Sequence, residues 1–253
     1  MKAARHPRAL TPFAFTLAEM LLVVAILAVL AGLAWPAFNH ALEKSRTAVC
    51  AANMKQIGTA LFAYSSDHNG SIPPVSSGGW PISKDKDVWE YAIWTYAGYS
   101  EAAWNNTTSP VKANNTDRCP RGAVIRNIFR CPEIFNGSTA VPGTSQGVNS
   151  NRCSYGLNAR PSIGSESNEA YVTPIRLSLI PTPAQTVLVV ENSTRLGSFE
   201  GFRHWTGLIP HDGGSNLLFA DGHVEWRRLK DIPDTRVVTG GYLFWNGRIP
   251  PNS

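Results

Sequence analysis

Residues 15–34 read FTLAEMLLVVAILAVLAGLA, an apolar run from Phe15 to Ala34 interrupted by one carboxylate, Glu19. About 20 residues of helix cross a bilayer core near 30 Å thick, so the run has spanning length. A carboxylate at the centre of such a helix costs about 2.5 kcal/mol or more, which makes an intramembrane acid a functional candidate. Glu19 is the fifth residue of the run. It therefore either lies in the headgroup layer or has a partner of its own within the membrane.

Outward on the N-terminal side, Met1 to Ala14 carries Lys2, Arg5 and Arg8 and no acid. Basic residues on this flank predict that it stays cytoplasmic. A secretory signal has a shorter apolar core followed by a small-residue cleavage site. Here the small residue, Ala14, comes first. Cleavage between Ala14 and Phe15 leaves the apolar helix on the mature chain.

Outward on the other side, the apolar run passes into an amphipathic pattern. Leu42, Val49, Ile57, Leu61 and Tyr64 recur along one face, while Glu43, Lys44, Arg46, Lys55 and Gln56 occupy the other. The two stretches together predict one helix of about 50 residues, about 75 Å long. Pro36 is expected to kink it. Asn69-Gly70 and Pro73-Pro74 end it, with Asp67-His68-Asn69 read as a turn rather than a metal site. Val88 to Trp104 shows a helical pattern whose aromatics read as core. Asn105–Thr116 and Asn136–Asn151 are polar and read as exposed loops.

The C-terminal half reads as strands. Thr186–Val190 is a short continuous apolar run suited to a central strand. Asn216–Ala220 and His223–Trp226 flank Asp221-Gly222, a hairpin signal that predicts a type I′ turn, and Asp212–Ser215 forms the loop entering it. The fold class expected is therefore α+β, a long N-terminal helix packed on a small antiparallel sheet.

The 253 residues carry a net charge of +5, and loss of the three leader bases brings it to +2, too little for a nucleic-acid footprint. Neither a His-Glu-x-x-His motif nor a phosphate-binding glycine loop occurs, and Glu191 and His204 cannot be placed in one cleft by spacing, so the chain is read as non-enzymatic. Cysteines stand at 50, 119, 131 and 153, without zinc-knuckle spacing. In an oxidising compartment the even count favours disulfides, with Cys131–Cys153 or Cys119–Cys153 preferred and Cys50 free or buried as a small apolar residue.

Ala14-Phe15-Thr16-Leu17-Ala18-Glu19 resembles the processing motif of type IV prepilins and type II secretion pseudopilins. His211, nine residues, then Asp221-Gly222 resembles the H-X9-DG signature of a large subgroup of prepilin-like proteins. Cys50 with Asn53–Gly58, Phe129–Pro132 and Ser154–Asn158 sit where that subgroup has them. The family has glycine before the cut, where this chain has Ala14. The resemblance implies a leader at 1–14, a transmembrane helix at 15–36, its amphipathic continuation at 37–66, and a head at 67–253 ending in a hairpin at 211–226. It implies cleavage before Phe15 by a prepilin peptidase, N-methylation of Phe15, and assembly with other pilin or pseudopilin subunits through Glu19 and Pro36. It also implies a single-pass protein of a bacterial inner membrane, N-terminus cytoplasmic and head periplasmic or extracellular.

Some secretion pseudopilins bind calcium in a C-terminal loop, which makes Asp212, Ser215 and Asp221, with His211 and His223, candidate ligands. Calcium wants six to eight oxygens and three are nameable here. The competing expectation is structural, with Asp221 making the turn and His211 hydrogen-bonding across the hairpin, and no cofactor at all. For the whole chain, a membrane-tethered, non-polymerising domain that presents an aromatic, loop-rich head to cargo or polysaccharide stands as the alternative.

Overall fold

A computed structural model describes residues 16–75, 88–105, 127–131, 154–158, 172–191, 211–233 and 244–245. Its first helix, α1 (Leu17–Asp67), runs through Pro36 without ending there. Thr16 and Glu19 form a reciprocal cap at its start: the Thr16 amide donates to Glu19 Oε2 at 2.8 Å, and the Glu19 amide donates to Thr16 Oγ1 at 3.3 Å. That is the capping box expected of Thr-x-x-Glu.

Contacts divide the chain into two units, Met1–Glu43 and Lys44–Ser253. In the first, every described residue is exposed. A helix apolar all round is a membrane-span candidate by length and composition. In the second, α1 buries Cys50, Met54, Ile57, Gly58, Ala60, Leu61 and Ser65. This corrects the expected stripe: Leu42 and Val49 are exposed, and Cys50 and Met54 continue the buried face of Ile57 and Leu61. At the helix end the amides of His68 and Gly70 both donate to Ser65 O, while Asn69 and Gly70 take positive φ (53° and 76°). Asp67-His68-Asn69 is thus the helix-terminating turn.

The aromatic segment is two short helices, α2 (Trp89–Ala92) and α3 (Glu101–Asn105), rather than one. Gly98 between them has φ 84°, which an uninterrupted helix does not accommodate. Trp89, Trp94 and Trp104 are buried together with Phe129, as core.

Strands β1 (Ser71–Ile72) and β3 (Ile175–Arg176) pair as a small antiparallel ribbon. The main sheet is antiparallel in the order β2-β4-β5-β6, from β2 (Tyr155–Leu157), β4 (Val187–Glu191), β5 (Gly214–Phe219) and β6 (Val224–Arg228). The α+β layout expected from the sequence is the one observed. β4 and β5 are buried on both faces, which suits the apolar runs Val187–Val190 and Leu217–Phe219, while Glu191, Ser215 and Asn216 are buried with hydrogen-bond partners. A register shift between Val187 and Val189 puts Leu188 and Val189 into the core shared with α1. Val187 and Val190 face a second core with Leu217, Phe219, Phe244 and Trp245.

The hairpin between β5 and β6 is present, but its turn is not type I′. Gly222 has φ 89°, and Asp221 is not among the described residues with positive φ. The Gly222 amide donates to Phe219 O and the Phe219 amide to His223 O, both at 2.9 Å. This is the three-residue loop in which glycine alone takes the left-handed position. A Cβ at Gly222 would lie 2.7 Å from Phe62 Cε2 on α1, so the same glycine is also a packing requirement.

Candidate functional site

Four buried side chains converge where α1, residue 131, β4 and the start of β5 meet. Cys50 and Cys131 are joined by a disulfide, their Cα atoms 5.3 Å apart and 81 residues apart in sequence. Cys131 Sγ lies 3.4 Å from His211 Nε2, and that nitrogen lies 3.1 Å from Glu191 Oε1. Cys50, Cys131, Glu191 and His211 place one donor atom each within 4.8 Å of one another.

Each member is held by the backbone around it. Cys50 belongs to the buried stripe of α1. Cys131 is fixed because its amide donates to Ser154 Oγ at 2.8 Å, while the Ser154 amide donates to Phe129 O. Glu191 ends β4; its Oε2 accepts from the Asn216 amide at 2.7 Å, and its Oε1 accepts from Asn216 Nδ2 at 3.1 Å. A buried carboxylate is tolerated only with such donors. His211 Nδ1 lies 3.1 Å from Thr47 Oγ1 on α1, and His211 O accepts from Trp226 Nε1 across the hairpin.

The motifs of the head that carried the resemblance lie around this joint. Asn53 Nδ2 donates to Arg130 O at 3.2 Å, and Lys55 Nζ donates to Gly222 O at 2.7 Å. Tyr155 OH reaches Cys50 O at 3.4 Å. Asn158 Nδ2 donates to both Val187 O and Trp245 O at 2.8 Å, tying β4 to the second core. Helix, disulfide loop, sheet and hairpin are therefore cross-linked by buried and partly buried polar groups.

The cysteine expectations are corrected here, for Cys50 is not free. Cys131 is bonded to Cys50, so the Cys131–Cys153 pairing is not formed; Cys119 and Cys153 lie outside the described residues, as do Ala14 and Phe15. Sequence spacing failed because Cys50 lies on a helix that passes over the sheet, a proximity with no local signal. Glu191, which spacing alone could not place, meets His211; His204 lies outside the described residues.

The five candidate metal ligands do not come together. His211 precedes β5 and Asp221 follows it, separated along about 20 Å of strand. His211 is buried, Asp212 is exposed in the left-handed region at φ 49°, and Ser215 Oγ bonds backbone oxygens of Glu191 and Asn216. At the far end Asp221 Oδ1 accepts from the His223 amide at 3.0 Å and pairs with His223 Nδ1 at 2.5 Å. Desolvation pushes the Asp221 carboxyl up, but the hydrogen bonds from His223 outweigh it and hold the group below its usual value. Asp221 therefore shapes the turn, and His211 also bonds across the hairpin.

Residues 143–147, Gly-Thr-Ser-Gln-Gly, carry the Gly-x-Ser-x-Gly spacing of a hydrolase nucleophile elbow, and they lie outside the described residues. The sequence around them is largely polar and lacks the long apolar run that precedes such an elbow.

A family model described as "Protein of unknown function (DUF1559)" matches residues 39–206. The match takes in Cys50, Cys131 and Glu191 and ends before His211. No curated protein and no solved structure matches the chain.

Proposed function

The chain belongs to the DUF1559 family of proteins of unknown function, and from that premise we propose that it is a pseudopilin-like structural subunit of an envelope fibre. A prepilin peptidase releases the leader before Phe15, and the mature helix inserts in the membrane and then packs against copies of itself or related subunits. One observation carries this reading: a carboxylate, Glu19, stands at the start of a helix whose apolar residues from Leu17 to Leu33 are all exposed. Such a surface is stable in lipid or against other helices, not in water.

A free amino group on Phe15 is cationic and Glu19 anionic. In neighbouring helices offset along their axes, the two meet in a medium where an unpaired charge is heavily penalised. The pair therefore sets register more than strength. The capping box gives Glu19 a second, local task, which a glutamine performs nearly as well.

Glu19→Gln and Glu19→Leu separate those tasks. Assembly through charge predicts that both variants insert in the membrane and that neither is recovered in sheared fibre or cross-linked oligomer. Wild-type recovery from Glu19→Gln would leave only the cap. The tethered-domain reading gains little from the described head, where Trp89, Trp94 and Trp104 are interior rather than presented.

A further inference from the structure

We propose that Cys50, Cys131, His211 and Glu191 form a zinc-type metal site whenever the two cysteines are thiols, so that disulfide and metal are alternative closures of the same joint. This inference concerns the head alone and stands independently of assembly.

The donor set is two sulfurs, one imidazole and one carboxylate, a combination suited to tetrahedral zinc. Zinc–sulfur bonds of about 2.3 Å and zinc–nitrogen or –oxygen bonds of about 2.0–2.2 Å set donor–donor edges of about 3.3–3.8 Å. Two edges already fall near this range, 3.4 Å from Cys131 Sγ to His211 Nε2 and 3.1 Å from that nitrogen to Glu191 Oε1. All four donor atoms lie within 4.8 Å of one another, and all four residues are buried. Opening the disulfide frees the sulfurs to move apart to the zinc-bound separation.

The outer partners that a metal ligand needs are also in place. With Nε2 on the metal, His211 Nδ1–H donates to Thr47 Oγ1 at 3.1 Å, which fixes the tautomer. With Oε1 on the metal, Glu191 keeps the Asn216 amide on Oε2 at 2.7 Å. A disulfide alone requires neither a buried carboxylate nor a buried imidazole beside it. A metal held by only these two sulfurs needs further donors, and these two side chains supply them.

The chemistry balances by thiol–disulfide exchange. A dithiol reductant attacks the Cys50–Cys131 bond, is itself oxidised to a disulfide, and leaves two protein thiols. Binding of one zinc ion then releases both thiol protons to solvent, giving two thiolate ligands. A disulfide oxidant reverses the exchange: the Cys50–Cys131 bond re-forms, the oxidant takes up two electrons and two protons to become a dithiol, and the metal, left with two ligands, is released.

The test uses the full chain in detergent, reduced with a phosphine and titrated anaerobically with Co²⁺, then Zn²⁺. The proposal predicts one Co²⁺ per reduced chain, thiolate-to-cobalt charge-transfer absorption, displacement by Zn²⁺, and no uptake by the disulfide form. Thr47→Val, which removes only an outer partner, weakens binding about 10–100-fold, and His211→Gln or Glu191→Gln weakens it further. Circular dichroism runs alongside. If the reduced protein unfolds, zinc restores the fold of the wild type and not of His211→Gln. A folded reduced chain that takes no cobalt, binding that survives His211→Gln unchanged, or no refolding with zinc overturns the proposal.

Discussion

Along α1, every residue before Lys44 is exposed, whereas the stretch from Cys50 to Ser65 buries one face completely. Both halves are helices, yet they keep their structure for different reasons. The first is apolar in every direction, so its order depends on an apolar surrounding such as lipid or other helices. The second gains its order from a stripe packed on a sheet and from a disulfide. The difference teaches where function and stability reside: substitutions in the first half should alter assembly without touching the head, and substitutions in the second should do the reverse.

The largest effect is expected at the disulfide. Replacing Cys50 and Cys131 together by alanine reopens an 81-residue loop, a loss of about 4.5 kcal/mol in the chain-entropy account. Thermal melting of the oxidised protein measures it, and a change below about 1 kcal/mol would mean that the buried polar network holds the joint without the bond.

A matched pair of truncations sharpens the contrast between the halves. Ile57 is fully buried on α1, and Ile57→Ala should destabilise the head by about 2–5 kcal/mol. Leu27, half exposed on the same helix, should leave the head's melting within about 0.5 kcal/mol when changed to alanine. Equal effects on the head would break the division of α1 into two regimes.

Much of this division was legible in the sequence. The apolar run, the strand at 187–191 and the hairpin around Asp221-Gly222 are carried by local pattern, and local pattern survives folding. The buried stripe of the second half was misread because Cys50 and Met54 were left out of the apolar period, while Leu42 and Val49 were counted in it. The site was legible only in pieces. His211 stood out through the motif it opens, but its partners Glu191, Cys131 and Thr47 come from three distant segments, and no spacing rule brings them together. The turn type was misjudged because Asp-Gly fits both a two-residue and a three-residue hairpin loop, and the register of Phe219 with His223 decides between them.

The smallest expected effect is an acid dependence at the edge of the sheet. Glu225 Oε2 accepts from Arg227 Nη2 at 2.7 Å, and this bond holds the Glu225 carboxyl below its usual value against a smaller desolvation effect. A depressed pKa in the folded state stabilises above the unfolded value of 4.5 and loses that contribution as pH falls through the folded one. The pair's contribution to head stability should therefore be complete and independent of pH near neutrality and decline slightly below pH 4.5, and Arg227→Gln should remove that part of the decline. Because both side chains are partly exposed, the effect is small and salt-sensitive.

The central claim is that the exposed half of α1 is a processed, assembling helix rather than a simple anchor. Mass spectrometry of the N-terminal peptide from the membrane fraction tests it most directly. The account predicts a mature chain that begins at N-methylated Phe15, with cleavage after Ala14. A membrane-resident chain that keeps Met1 and the basic leader would contradict it, because Glu19 would then have no free amino group to meet.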